Sequence, residues 1–217
     1  MLLPALVFGA AASWDALRRQ DAAEEARLMD TAQALAAAVD TQIGAKLAAL
    51  RVLAVAPESD PGAPLEHLYL HARTTAEIFG TWVNLYRRDG SQILSTRRPF
   101  GAELPGPGGG GGPGGGAVSI ERAFATGRPV VSDVAQGRLS GRPTAFVFVP
   151  VMRDGVAHAV LGMPLLPERL SDTLRGQGSR GRGAVALTDS RGVFAARSRD
   201  PEQVVGVPRP ARQDGPL

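Results

Sequence analysis

Trp82, Asn84 and Tyr86 alternate with Val83 and Leu85 in one short run. Successive side chains of an extended strand point to opposite faces, so a ring, an amide and a phenol share one face and two aliphatic groups the other. Such a face can hold a small polar ligand by stacking and hydrogen bonding; it is equally the pattern of a solvent face on a half-buried sheet. Arg97 and Arg98 end the following run, and Arg142 sits in the turn S-G-R-P, from which it could approach them. Guanidinium groups grip carboxylates and phosphates through paired N–H donors, which points to a small organic anion. Asp133 follows V-V-S and can receive a ligand amine or pair with an arginine.

Other chemistry is thinly represented. His67 and His71 stand four residues apart, a spacing that can bind a metal on a helix, but no Glu occupies the H-E-x-x-H position and no third ligand is evident. His158, between two alanines in an apolar run, reads as a satisfied structural residue. There is no G-x-S-x-G elbow, no phosphoacceptor histidine segment and no nucleotide lid, and the twelve-position stretch 105–116, rich in Gly and Pro, lacks the Lys of a phosphate loop. We therefore expect a chain without catalytic, metal or cofactor sites. The complete lack of cysteine removes disulfides and thiolate chemistry. Basic residues exceed acidic ones by 24 to 21, but the arginines are scattered among acids and aromatics are only 5%, which argues against nucleic acid as a partner.

The elements that must position these residues can be read from periodicity. Residues 15–56 contain no proline and repeat apolar positions at Leu28, Leu35, Val39, Ile43, Leu47, Leu50 and Ala54, which predicts one long helix. A helix of that length cannot bury its whole surface on one small domain, so it predicts a homodimer through its lower part, with packing inside the monomer as the alternative. The segment P-E-S-D-P-G-A-P breaks it, and Leu65 to Phe79 reads as a second helix ended by Gly80. Strands are expected at Thr81 to Arg87, Gln92 to Arg97, Val130 to Val134, Thr144 to Met152 and Val156 to Met163, with a helix from Ala117 to Ala125. Tight turns join neighbouring strands, which makes the pairs antiparallel and the class α+β, a five-stranded sheet with helices on one face. Residues 105–116 are expected to form an exposed loop.

Residues 1–14 carry no charge. They read either as a secretory signal peptide, although no Lys or Arg precedes the apolar run, or, by preference, as the outer end of a membrane-spanning helix. Either reading places the long helix and the strands beyond it outside the cytoplasm.

One passage occurs twice. Val83, Leu85, Gly90, Arg97 and Pro99 fall on Val185, Leu187, Gly192, Arg199 and Pro201 at a constant offset of 102 (192 minus 90). Each copy predicts a hairpin, and the spacing predicts tandem modules of one design, 57–175 complete and 176–217 partial. The recurrence of Arg97 at Arg199 also gives Arg97 a competing structural role, such as a repeated salt bridge.

The order long helix, second helix, hairpin, helix and meander, carried by W-V-N-L-Y-R-R-D-G-S-Q-I-L-S-T-R-R-P-F-G, F-A-T-G-R-P-V-V-S-D-V and S-G-R-P-T-A-F-V-F-V-P-V, resembles the Cache (PAS-like) extracellular sensor domains of bacterial receptors. The chain looks like the double-Cache input region of a membrane-bound sensor histidine kinase, cut within its second module. The resemblance implies sensing of a small ligand by the membrane-distal module at the bacterial inner membrane, with the domain on the periplasmic side and the long helix carrying the signal. Amino-acid sensors of the family carry an Arg-x-Trp-Tyr run opposite an Asp. Here Gly80 stands at the Arg and Val83 at the Tyr, with Asp133 the candidate for the Asp. A periplasmic or secreted α+β enzyme and a non-binding dimerisation spacer are the alternatives.

Overall fold

The computed structural model describes residues 3–60, 62–104, 106, 116–137, 140–178 and 183–210, with the side chains of 3–25 and 177–178 outside that description. The expected loop at 105–116 therefore lies outside the described residues except at Gly106 and Gly116, and so do the side chains of the apolar 1–14 segment. Helix α1 (Leu3–Val55) runs for 53 residues, about 80 Å. It stops because Pro57 forbids helical geometry at the residue before it, and Ala56 is extended at φ −65°, ψ 143°. The carbonyls left over at its end are not lost. Ser59 Oγ donates to Leu53 O at 2.7 Å, and Arg153 donates to Ala54 O and Ala56 O, each at 2.9 Å. Leu35, Val39, Leu50, Leu53 and Ala54 are buried, with Ile43 and Leu47 packed beside them, while Leu28 lower on the expected stripe is exposed.

A 3-10 turn (Pro57–Ser59) leads to α2 (Leu65–Ile78). Gly80, at φ +54°, closes α2 with a pair of bonds, Gly80 N to Glu77 O and Thr81 N to Ala76 O, the Schellman arrangement that a left-handed residue allows.

The main sheet comprises β1 (Asn84–Tyr86), β2 (Gln92–Ser95), β3 (Val130–Val131), β4 (Ala135–Gln136), β5 (Pro143–Arg153) and β6 (Val156–Leu165), with α3 (Gly116–Thr126) between β2 and β3. All pairings are antiparallel, in the order β2-β1-β6-β5-β3, with β4 also on β5. The β5–β6 turn is Asp154-Gly155, both at positive φ, which matches the twist of a two-residue hairpin. The strand expected over 130–134 is split. Ser132 Oγ accepts the Phe146 N–H, and beyond it the backbone turns away to bond another part of the chain.

The expected single helical layer is corrected to two. One face carries Val83, Leu85, Val147, Val149, Leu161 and Met163 against α1 and α2. The opposite face carries Tyr86, Phe148 and Val160 against Ile120, Ala123 and Phe124 of α3. Helix α4 (Pro167–Gly178), not foreseen, buries Leu170 and Leu174 and packs on α1.

The repeated passage forms a second sheet, β7 (Ala186–Thr188) with β8 (Phe194–Arg197), followed by α5 (Pro201–Val204). The repeat recurs in its main hydrogen bonds. Thr96 N to Val83 O and Val83 N to Thr96 Oγ1 reappear as Ser198 N to Val185 O and Val185 N to Ser198 Oγ, and Gly90 N to Arg87 O reappears as Gly192 N to Asp189 O.

Candidate functional site

A cavity of about 110 Å³ lies on the α3 side of the sheet. Strand alternation sends Trp82, Asn84 and Tyr86 into it while Val83 and Leu85 enter the other core, as the sequence predicts. Strand β5, beyond β6, supplies Thr144, Phe146 and Phe148 by the same alternation. The start of α3 supplies Gly116, Ala117 and Ile120; Ala135, Gln136, Gly137 and Ser140 form another side; Asp89, Gly90 and Gln92 come from the first hairpin.

Three polar groups of the sheet here are buried and hydrogen-bonded to one another, whereas Asp89 and Gln136 at the rim are exposed. Asn84 is 3% exposed, Gln92 6% and Tyr86 7%, so this is no solvent face. Gln92 Nε2 donates to Asn84 Oδ1 at 2.9 Å, and Asn84 Nδ2 donates to Tyr86 Oη at 2.8 Å. Beside this ladder the rings pack closely: Tyr86 meets Phe148 edge-on at 5.9 Å, and Phe146 stacks on Phe148 at 5.6 Å. Gly162 makes that packing possible. It pairs with both Asn84 and Phe148, and a Cβ there would sit 2.8 Å from Phe148 Cε1 and 3.2 Å from Tyr86 Cε2.

Asp89 is the one charged residue among the described lining residues. The Ser91 hydroxyl, then the Ser91 backbone N–H, bonded at 2.6 and 2.9 Å, hold its carboxyl below the usual range and keep it ionised. The wall thus combines aromatic surface, amides and one anion.

The remaining expected residues lie elsewhere. The Arg97 guanidinium stacks 4.6 Å from the Trp82 ring, touching a wall residue from outside. Arg98 is exposed, and its carbonyl accepts a bond from Tyr69 Oη. Arg142 is not among the residues lining the cavity; it pairs with Glu168 at 3.4 Å. Asp133 accepts bonds from Ser190 N and Ser190 Oγ at 3.1 and 2.7 Å and faces Arg191 at 3.7 Å, so it joins the two hairpins. His158 is exposed rather than enclosed, and exposed His71 lies 3.7 Å from Glu58. Among the described residues no group of three His, Asp or Glu side chains could hold a metal ion.

Gln92, Phe146 and Phe148 were not foreseen. Their signal was available in the alternation of F-V-F and in the position of Gln92 at the start of the returning strand, opposite Tyr86 in register. Gly162 gave none, because its role depends on two rings from other strands.

A sheet with a covered cavity on one face and long helices on the other is the arrangement of Cache-type sensor domains, and the chain has that fold. It is similar to the ligand-binding domain of the Campylobacter jejuni chemoreceptor Tlp3 solved with L-valine, at 15% identity and TM-score 0.57, over 79% of this chain and 71% of that one. The corresponding domain of the Pseudomonas fluorescens chemoreceptor CtaA, solved with L-isoleucine, matches at 12% identity and TM-score 0.56, over 80% and 67%. The sensor domain of the Vibrio cholerae histidine kinase DctB matches at 14% identity and TM-score 0.55, over 82% and 69%. No family model and no curated protein matches the sequence.

Proposed function

We propose that this chain is the extracytoplasmic ligand-sensing region of a bacterial membrane receptor, and that its ligand occupies the cavity beneath α3. The observation that carries this reading is the buried Gln92–Asn84–Tyr86 ladder facing an open, aromatic-walled space, on a fold shared with sensor domains. A space of about 110 Å³ has room for on the order of ten non-hydrogen atoms. The ligand class differs from the organic anion that the arginines suggested. Those guanidinium groups are engaged or directed elsewhere, and the wall offers Asp89 instead, so a neutral or cationic metabolite with a flat or apolar body fits better. The Tlp3 and CtaA complexes with amino acids support a ligand of that size.

The parent receptor in this reading is a two-component sensor histidine kinase, the class of DctB, anchored through the apolar 1–14 segment and paired through α1. Among the described residues no helix is long and apolar enough to cross a membrane, so the anchor rests on the uncharged sequence alone. Exposed Leu28 and Met29 on lower α1 support pairing. Hairpin β7–β8 is the opening of a second module of the same design, and ligand binding shifts the balance between two packings of the long helices. A thermal-shift screen of neutral and cationic metabolites, followed by calorimetry, tests the sensing claim. Binding that depends on Asn84 is expected; a panel with no hit, or hits indifferent to Asn84→Leu, would sink it.

A further inference from the structure

A second opening, of about 370 Å³, lies on the opposite side of the sheet, where α1, the end of α2 and the start of α4 meet. Gln42 and Lys46 of α1, Phe79 at the end of α2, and Arg169, Asp172 and Thr173 of α4 line it. Lys46 is the only lysine in the chain and is 7% exposed. Its ammonium lies 3.6 Å from the Met163 sulfur and 5.1 Å from the centre of the Phe79 ring, and no described carboxylate reaches ion-pair distance. A thioether and a ring compensate a desolvated ammonium poorly.

Arg169 is the second cation of this opening. Its guanidinium rests over the turn that ends α2, where a Cβ on Gly80 would collide with it. No described residue bonds or pairs with that guanidinium, and the nearby Asp172 is taken by Arg175. The wall therefore presents two cations without counter-ions and one carboxylate that already has its own. Thr173 and Gln42, bonded to each other across the gap, add a hydroxyl and an amide from the same two helices.

We propose that this opening is a second ligand site, for a small oxyanion, a carboxylate or phosphate, held between the Lys46 ammonium and the Arg169 guanidinium. A buried ammonium and an exposed guanidinium lining one open, partly apolar recess suit an oxyanion because each oxygen can accept a charge-assisted bond while the buried ammonium gains the partner it lacks. The bound anion would bridge α1 and α4, fastening the long helix to the domain that carries the first cavity. It is a regulatory input distinct from that cavity and does not depend on how the first cavity is read.

The single lysine gives a direct probe. In the 217-residue chain labelled with 13Cε-lysine, Lys46 is the sole lysine signal, and it can be followed during titration with sodium acetate or inorganic phosphate at constant ionic strength, with chloride as reference. A saturable shift with at least one oxyanion is expected, weakened roughly tenfold or more in Arg169→Gln. Saturation by phosphate alone assigns the site to phosphate, and saturation by acetate alone assigns it to carboxylates. Lys46→Met, which replaces the ammonium by an apolar group of similar length, should keep the fold and lose the anion-induced rise in Tm. A shift that does not saturate, that chloride reproduces, or that Arg169→Gln leaves unchanged would overturn the proposal.

Discussion

Asn84 sits in the middle of a ladder whose hydrogen bonds run in one direction, accepting from Gln92 and donating to Tyr86. Asn84→Leu leaves the Gln92 amide and the Tyr86 oxygen each short of a bond in a buried place, at a cost of roughly 1–3 kcal/mol. Urea unfolding should show that loss, and calorimetry should show at least a tenfold loss of ligand affinity, while Arg98→Ala, changing an exposed side chain outside the cavity, should alter neither. Lys46 gives a prediction of a different kind. Burial, assisted by the charge of Arg169, lowers its pKa from 10.5 to about 8. Because the folded value is the depressed one, the unfolded chain binds the extra proton between those values, so stability rises with pH from about 8 to about 10.5. Lys46→Met removes this contribution. Subtracting its stability profile from that of the parent chain should leave a rise confined to that window, and a flat difference would show that the amine is better solvated than its surroundings imply.

Arg153 shows what one side chain does for two elements. It ends β5, yet its guanidinium caps Ala54 O and Ala56 O at the C-terminus of α1 and pairs with Asp60 beyond it. Carbonyls at a helix end carry the negative end of its dipole, so the cation satisfies them and compensates their charge together. Arg153→Met keeps the aliphatic stem and deletes these bonds, and should cost roughly 2–3 kcal/mol. Hydrogen exchange should quicken most at the last turn of α1; an unchanged last turn would mean that Ser59, donating to Leu53 O, suffices as the cap. Such a cap was not legible in the sequence, because it joins residues nearly a hundred positions apart. The legible features had a short period: the stripe of α1, the D-G turn at 154–155, and the alternation that sends Trp82, Asn84 and Tyr86 to one face. Helix α4 was missed because P-E-R-L-S-D-T-L contains only two apolar positions, Leu170 and Leu174, and both are buried. Helix α3 was anticipated, but its side of the sheet was not, since its amphipathic face is compatible with either layer until Phe148 and Tyr86 are seen to project away from α1.

At the scale of the molecule the repeated hairpins are similar in themselves and different in use. The first borders the cavity, whereas the turn of the second is bonded to the chain just after β3. Asp189 accepts from Val134 N at 3.0 Å while also holding its own turn through Val193 N and Arg191 N, and Arg191 donates to Val134 O at 2.6 Å. Burial pushes the Asp189 pKa up, but the N–H donors of Val193, Val134 and Arg191 outweigh it, and the net direction is down. A depressed folded value means the carboxylate stabilises the docked hairpin above its unfolded pKa and that this is lost as pH falls through the folded one. The turn position equivalent to Asp189 in the first hairpin is Arg87, so the sequence repeat did not reveal this contact. Asp189→Ala strands several N–H groups and should cost roughly 3 kcal/mol, about a hundredfold in local opening. Yet Ala195 and Ala196 of β8 share a core with α1 and β5, so the hairpin and main sheet have an apolar as well as a polar connection. Hydrogen exchange of Asp189→Ala separates the two contributions. Faster exchange confined to 185–198, with β5 and β6 still protected, is the expected result and would make Asp189 the latch of a separable module. Equal acceleration in both sheets would mean that the shared core makes them one cooperative unit, leaving no independent second module to relay a signal.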